Sequence, residues 1–150
     1  MKSIMLMVLC GFLASFSAIA SEGLVSLESP YTVKKTADRF ESIILAKGLS
    51  LFARIDHKEN AESVNLAMPE TELILFGNPK VGTPLMNCAP AVAIDLPQKV
   101  MIQKDNDNKV RISYNNPEYL QKRHDIQGCD QVISKIAAVL NKLSTAAISQ

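Results

Sequence analysis

The stretch from Glu72 to Met86 limits this fold more than any other part of the chain. Leu73 and Leu75 alternate with Ile74 and Phe76, so a strand here is apolar on both faces. Such a strand is expected inside a sheet, covered on both sides. The run Phe76-Gly77-Asn78-Pro79-Lys80-Val81-Gly82-Thr83-Pro84-Leu85-Met86 then carries two glycines and two prolines. That density fixes the backbone of a connection, and shaped connections on rigid elements are where binding and catalysis concentrate. Thr83-Pro84 predicts a helix start inside it, with Thr at the cap and Pro at the first helical position. Pro90 keeps that helix short.

The flanking segments supply the rest of the architecture. Leu24, Val25 and Leu27 predict a first strand, ended by Ser29-Pro30. Thr32 caps a helix whose buried face is Val33, Ala37, Phe40 and Ile44, and Lys47-Gly48 ends it. Leu49–Ile55 reads as a second strand with Leu51, Ala53, Ile55 and then His57 on one face. Lys58–Leu66 is expected as a short exposed helix or loop. Val92, Ile94 and Leu96 alternate as the start of a fourth strand that breaks at Pro97 and resumes at Val100 and Ile102. Asp105-Asn106-Asp107-Asn108 is a turn, and Val110, Ile112 and Tyr114 return from it as a hairpin partner. Asn116-Pro117 starts a short helix that reaches His124. A last helix, about Asp130 to Ile148, buries Val132, Ile136, Val139, Leu140 and Leu143. Strands in succession without regular helical crossovers predict an α+β class: a single domain with a mostly antiparallel sheet of about five strands and helices packed on one face.

The N-terminus reads as an address rather than structure. Lys2, the apolar run Ile4–Phe16 and Ala18-Ile19-Ala20 form a secretory signal peptide cut after Ala20. The run is shorter than the roughly 20 residues of a spanning helix. Leu9 before Cys10 is too large for a lipoprotein cleavage. The expected mature domain is residues 21–150, periplasmic or secreted and free of the membrane. Removing Lys2 leaves fifteen basic and fifteen acidic side chains, with no basic stripe to attract nucleic acid. Cys88 and Cys129 remain, and an even pair in an oxidising compartment allows one disulfide worth about 4 kcal/mol. Two buried free thiols are the alternative.

Several motifs stop short of a chemistry. Gly77 and Gly82 have the spacing of a phosphate-binding loop, but Thr83 stands where Lys is required and Pro84 where the metal-binding hydroxyl belongs. Nucleotide hydrolysis is excluded. An anion near Gly82 and Thr83, with Lys80 beside it, survives as an expectation from helix-start geometry, against the plainer reading of a rigid turn. Asp105 and Asp107 lack the glycine and distal Glu of a calcium loop. His57 and His124 show no metal-ligand spacing, so neither metal nor cofactor is expected. As acid–base groups they have Asp95 and Tyr114 for company, and Asp95 needs a partner such as Arg54, Lys99 or a backbone N–H.

The quoted residues resemble a known family. Phe52-Ala53-Arg54-Ile55-Asp56-His57, the Phe76–Met86 connection, Asp95-Leu96-Pro97 with Lys99, and Ser113-Tyr114-Asn115-Asn116-Pro117 with Tyr119-Leu120 and Arg123-His124 are similar to the domain-of-unknown-function 302 family. The resemblance runs from about Gly23 to His124 and continues in general shape into the last helix. It implies a compact bacterial α+β domain, often a homodimer, with no established activity. Its shared polar residues map to His57, Asn78, Thr83, Asp95, Tyr114, Asn115 and His124, while Cys88 and Cys129 lie outside the pattern. The resulting expectation is an exported homodimeric module that binds a small molecule or anion through Asn78, Lys80, Gly82, Thr83 and Asn115. An acid–base enzyme using His57, Asp95, Tyr114 and His124 is the alternative, and a protein-interaction module is another. The site readings assume that these scattered residues converge on one concavity.

Overall fold

The computed structural model describes residues 23–150. The signal-peptide reading and Cys10 lie outside those residues. Along the chain come β1 (Leu24–Ser29), α1 (Val33–Ala46), β2 (Ser50–Asp56), α2 (His57–Glu62), β3 (Thr71–Gly77) and α3 (Pro79–Cys88). A 3₁₀ turn (Pro90–Asp95), β4 (Gln98–Lys104), β5 (Val110–Asn115), α4 (Pro117–Arg123) and α5 (Asp130–Ile148) follow. The strands form one sheet in the order β1-β5-β4-β3-β2, with every neighbouring pair antiparallel. This is the α+β class expected.

One sheet face carries the core. Ile74 and Phe76 of β3, Val100 and Ile102 of β4, and Ile112 of β5 point to it and are buried. α1 covers them with Val33, Ala37, Phe40 and Ile44, the face read from its spacing. Phe40 meets Phe76 edge-on with ring centroids 5.1 Å apart, a favoured aromatic geometry. Thr32 caps α1 by accepting from the Lys35 amide. α5 packs beside α1 through Ile133, Ile136, Leu140, Leu143 and Ala147. This stripe differs from the expected one: Ile133 replaces Val132, and Val139 turns outward at 40% exposure. The 3-4-3-4 spacing of the observed set holds a straighter line along a helix than the expected set does.

Three other expectations are corrected. β2 does not alternate simply, because a bulge lies between Leu51 and Ala53. Leu51 and Arg54 stand opposite Phe76 and Ile74 on the helix-covered face, while Ala53 and Ile55 stand opposite Leu75 and Leu73 on the other. One extra residue in one strand moves all that follows it to the opposite face. Phe52 is that residue and is 55% exposed. Second, Val92–Leu96 is not a strand. Pro90 opens a 3₁₀ turn there, burying Val92 and leaving Ile94 74% exposed. Prolines at both ends, Pro90 and Pro97, would each remove a ladder donor from a strand in that place. Third, β3 is an inner strand, but Leu73 and Leu75, on the face away from α1, are only half-buried.

Two further features hold the segments around α4 and α5. Cys88, the last residue of α3, and Cys129, just before α5, are joined by a disulfide with Cα atoms 6.5 Å apart. Gly23 adopts φ +94° under the Tyr119 ring, where a Cβ would come within 2.8 Å of ring carbons. Its carbonyl accepts from the Asn116 amide, seating α4 against the start of β1.

Candidate functional site

Antiparallel order puts the ends of β3 and β5 at the same edge of the sheet as the starts of β2, β4 and β1. That edge is where the rigid connection after Phe76 begins. Asn78 leaves the strand in extended conformation and caps α3, its Oδ1 accepting from the Lys80 amide at 2.9 Å. The Asn78 carbonyl accepts from Val81 and Gly82. Pro79 has no N–H, so the first turn of α3 holds no free donor. The helix therefore starts before Thr83-Pro84, correcting the expected boundary. Asn78-Pro79 is itself a cap followed by a first-position proline, and the chain meets it first. Pro84 lies inside α3, where it gives no hydrogen bond to the Lys80 carbonyl. The amides that would have held an anion are spent on capping, and Lys80 is exposed.

α3 leaves a groove of about 550 Å³ beside the sheet edge. Phe52 and Leu75 of the sheet, Val81 and Met86 of α3, Leu96 and Ile136 are its apolar lining. Asn78, Thr83 and Gln98 are its polar groups. A smaller chamber of about 110 Å³ adjoins it on the helix-covered side, walled by Leu49, Phe76, Val139 and Leu140, with Lys135 among its lining residues.

A second cluster forms where the 3₁₀ turn ends. His124 Nε2 donates to Asp95 Oδ2 at 2.5 Å, and Arg123 Nη1 lies 3.5 Å from Asp95 Oδ1. The His124 and Asp95 side chains are 8% and 12% exposed. His124 caps the C-terminus of α4, whose last turn also carries Lys122 and Arg123. Positive groups are stabilised by the carbonyl end of a helix. Lys99 Nζ donates to the Asp95 and Pro97 carbonyls, not to the carboxylate. The other expected partner, Arg54, lies elsewhere, bonded to Glu72, Asp38 and Glu41. Those carboxylates hold the Arg54 guanidinium firmly protonated, the Glu72 hydrogen bond most strongly. A histidine oriented by a carboxylate through one ring nitrogen can exchange protons at the other.

The remaining sequence-predicted residues do not join either cluster. Tyr114 is 4% exposed, and burial pushes its phenol up from the ordinary value. Among the described residues, no hydrogen bond links Tyr114 to Asp95 or to either histidine. Asn115 ends β5 opposite Leu24 and is not part of the groove wall. His57 lies at the far end of the sheet as the first residue of α2, next to the Asp56 cap. The Asp105 turn is also at that end, its carboxylate accepting from Asp107 N, Lys109 N and Arg111 Nε. The one expected concavity is thus divided. Asn78, Gly82 and Thr83 line the groove, Asp95 and His124 form a separate pair, and His57 stands apart. Phe52, Leu75, Met86 and Leu96 line the groove without being among the sequence-predicted site residues. The one available signal was the unusual Phe on a strand face shared with Arg54 and Asp56. Among the described residues, no group of three or more His, Cys, Asp or Glu side chains is placed to hold a metal ion.

A family model for the domain of unknown function DUF302 matches residues 25–143. The chain belongs to the DUF302 family. This DUF302 chain is 36% identical over 110 residues to proteins named fluoride-specific ion channel FluC 1 from Brucella suis biovar 1 and Brucella abortus biovar 1. The match covers 73% of the DUF302 chain but 43% and 41% of those relatives, so it spans less than half of their length. Its fold is that of the crystal structure of an uncharacterised conserved DUF302 protein from Bacillus stearothermophilus. The two align with a TM-score of 0.68 at 18% identity, over 85% of this chain and 97% of the other.

Proposed function

We propose that this protein is an exported, homodimeric module that holds a small apolar molecule in the groove beside Gly77. The observation that carries the reading is the groove itself: about 550 Å³, lined by Phe52, Leu75, Met86 and Leu96, with a few amide and hydroxyl side chains among its lining residues. Ligand sites of about 300–1,000 Å³ are typically built this way, with apolar walls and a few polar groups that set orientation. The engaged amides at the start of α3 favour an apolar ligand over the anion alone. The channel activity named for the Brucella relatives forms no part of this proposal, because most of their length is unmatched. Native mass spectrometry of freshly purified mature protein tests all three parts at once. The expected result is a dimer that begins near Ser21 and carries bound small molecules. A bare monomer, with no thermal shift across a panel of apolar metabolites, would end the reading.

The His124–Asp95 pair supports a second reading, an acid–base enzyme. Its carrying observation is the 2.5 Å contact between two largely buried side chains. Turnover of a panel of activated esters by the wild type and by His124→Ala tests it. Equal rates in the two proteins would remove His124 as a general base.

A further inference from the structure

The groove and the small chamber are walled in part by the same residues. Gly77, Asn78, Val81, Gln98 and Ile136 line both. The groove lies at the sheet face that carries Phe52 and Leu75, and the chamber at the opposite, α1-covered face, at Phe76 and Leu140. The two adjoin at the end of β3 through those five shared residues, and the side-chain position of Gly77 in this waist faces the groove, beside Phe52 and Pro97. A Cβ built there would meet Phe52 at 3.5 Å and Pro97 at 3.8 Å, which is ordinary contact. The absent side chain is therefore room at the waist and not a backbone requirement. Charge is distributed just as unevenly. Among the described residues lining the two spaces there is no carboxylate, and Lys135 at the small chamber is the one charged side chain.

We propose that groove and chamber are one site for a straight-chain carboxylate, with its head at Lys135 and its tail running past Gly77 into the groove. This rests on the ligand-binding reading above and narrows it to one chemical class. A compact apolar molecule would occupy the groove alone and ignore Lys135. A linear chain with a single negative charge uses the waist and the lone cation together. The head contributes orientation and a modest share of affinity, because Lys135 is exposed and an exposed ion pair is weak. Burial of the chain supplies most of the rest.

The test is displacement of a dansyl-labelled undecanoate from the mature, disulfide-bonded protein by three competitors: decanoate, decanol and naphthalene. Decanoate is expected to compete best. Lys135→Glu is expected to weaken decanoate about fivefold, the scale of an exposed ion pair, and to leave decanol unchanged. Gly77→Val is expected to weaken both chain ligands at least about tenfold, because added methyl groups at a packed waist obstruct it, and to weaken naphthalene by a smaller factor, because a compact molecule can shift within the groove away from Gly77. Gly77→Ala, whose Cβ fits, checks that a smaller obstruction acts in the same direction if the valine variant does not fold. Equal binding of decanoate and decanol, both indifferent to Lys135→Glu, would overturn the carboxylate head while leaving the ligand-binding module intact. Naphthalene binding as tightly as decanoate, with Gly77→Val and Gly77→Ala both without effect, would overturn the continuous site. No displacement by any competitor, with no binding of the probe, would bring down the module itself.

Discussion

The two ends of the sheet each hold one histidine beside an aspartate, and they use the pair differently. At one end Asp56 and His57 are neighbours in sequence, yet the Asp56 carboxylate is turned to the Glu59 amide as the cap of α2. At the other end Asp95 and His124 are 29 residues apart and share a short, largely buried hydrogen bond. Adjacency along the chain made a helix start, and only tertiary structure made a chemical pair. The second pair exists because the 3₁₀ turn stops at Asp95 where α4 delivers its C-terminal residue.

The comparison can be tested by removing its parts in turn. The largest effect is expected from the disulfide, which staples the segment before Asp95 to the segment after His124. Its sequence separation is 41. The double variant Cys88→Ser, Cys129→Ser is expected to lose about 4 kcal/mol in the chain-entropy model, read from urea unfolding. A loss below about 1 kcal/mol would show that the staple adds little to what the core already fixes.

Asp95→Ala comes next. It leaves a largely buried His124 without its partner, at an expected cost of about 2 kcal/mol for a charge-assisted hydrogen bond. Asp56→Ala removes a helix cap and is expected to cost about 1 kcal/mol. The contrast between the ends fails if Asp56→Ala proves the costlier of the two in the same unfolding assay. His57→Ala is expected to stay within about 0.5 kcal/mol of the wild type, because the half-buried imidazole is not the cap of α2 and Asp56 is. A drop as large as that of Asp95→Ala would mean that His57 has a structural partner of its own.

The smallest effect is a pH dependence at the hairpin end. The Arg111 hydrogen bond, helped by the Lys109 and Asp107 amides, holds the Asp105 carboxyl below its ordinary value of 3.8. A carboxyl depressed in the folded state contributes stability above its ordinary value and loses it as pH falls through the lowered one. Acid unfolding of Asp105→Asn should therefore be flatter below pH 3.8 than that of the wild type. An identical acid limb would assign the loss to other groups. Asp38 is the obvious one, held low by Lys34 and then by Arg54.

What could be read from the sequence was what local rules decide. The apolar face of α1, its Thr32 cap and Gly48 end, the Asp105 turn with its two strands, and the Asn116-Pro117 helix start all depend on neighbours within a few positions. The misreadings share a different cause. The start of α3 lay between two cap-and-proline pairs, and position after the strand decided for the first. The partner of Asp95 depended on where α4 ended. The faces of β2 depended on one unpaired residue that no alternation pattern reveals. Of the expected site, Asn78, Gly82 and Thr83 came together because they share one connection, whereas Tyr114, Asn115 and His57 were scattered by strand direction and parity.

Phe52 is a residue the hydrogen-bonded ribbon can do without. Deleting it would bring Leu51 and Ala53 into strict succession against Phe76 and Leu75, giving a more regular strand pair and a groove without its one aromatic lining residue. The shape of the groove and the regularity of the strand pair are thus separable at a single position, and chain length there can tune the first without redrawing the second.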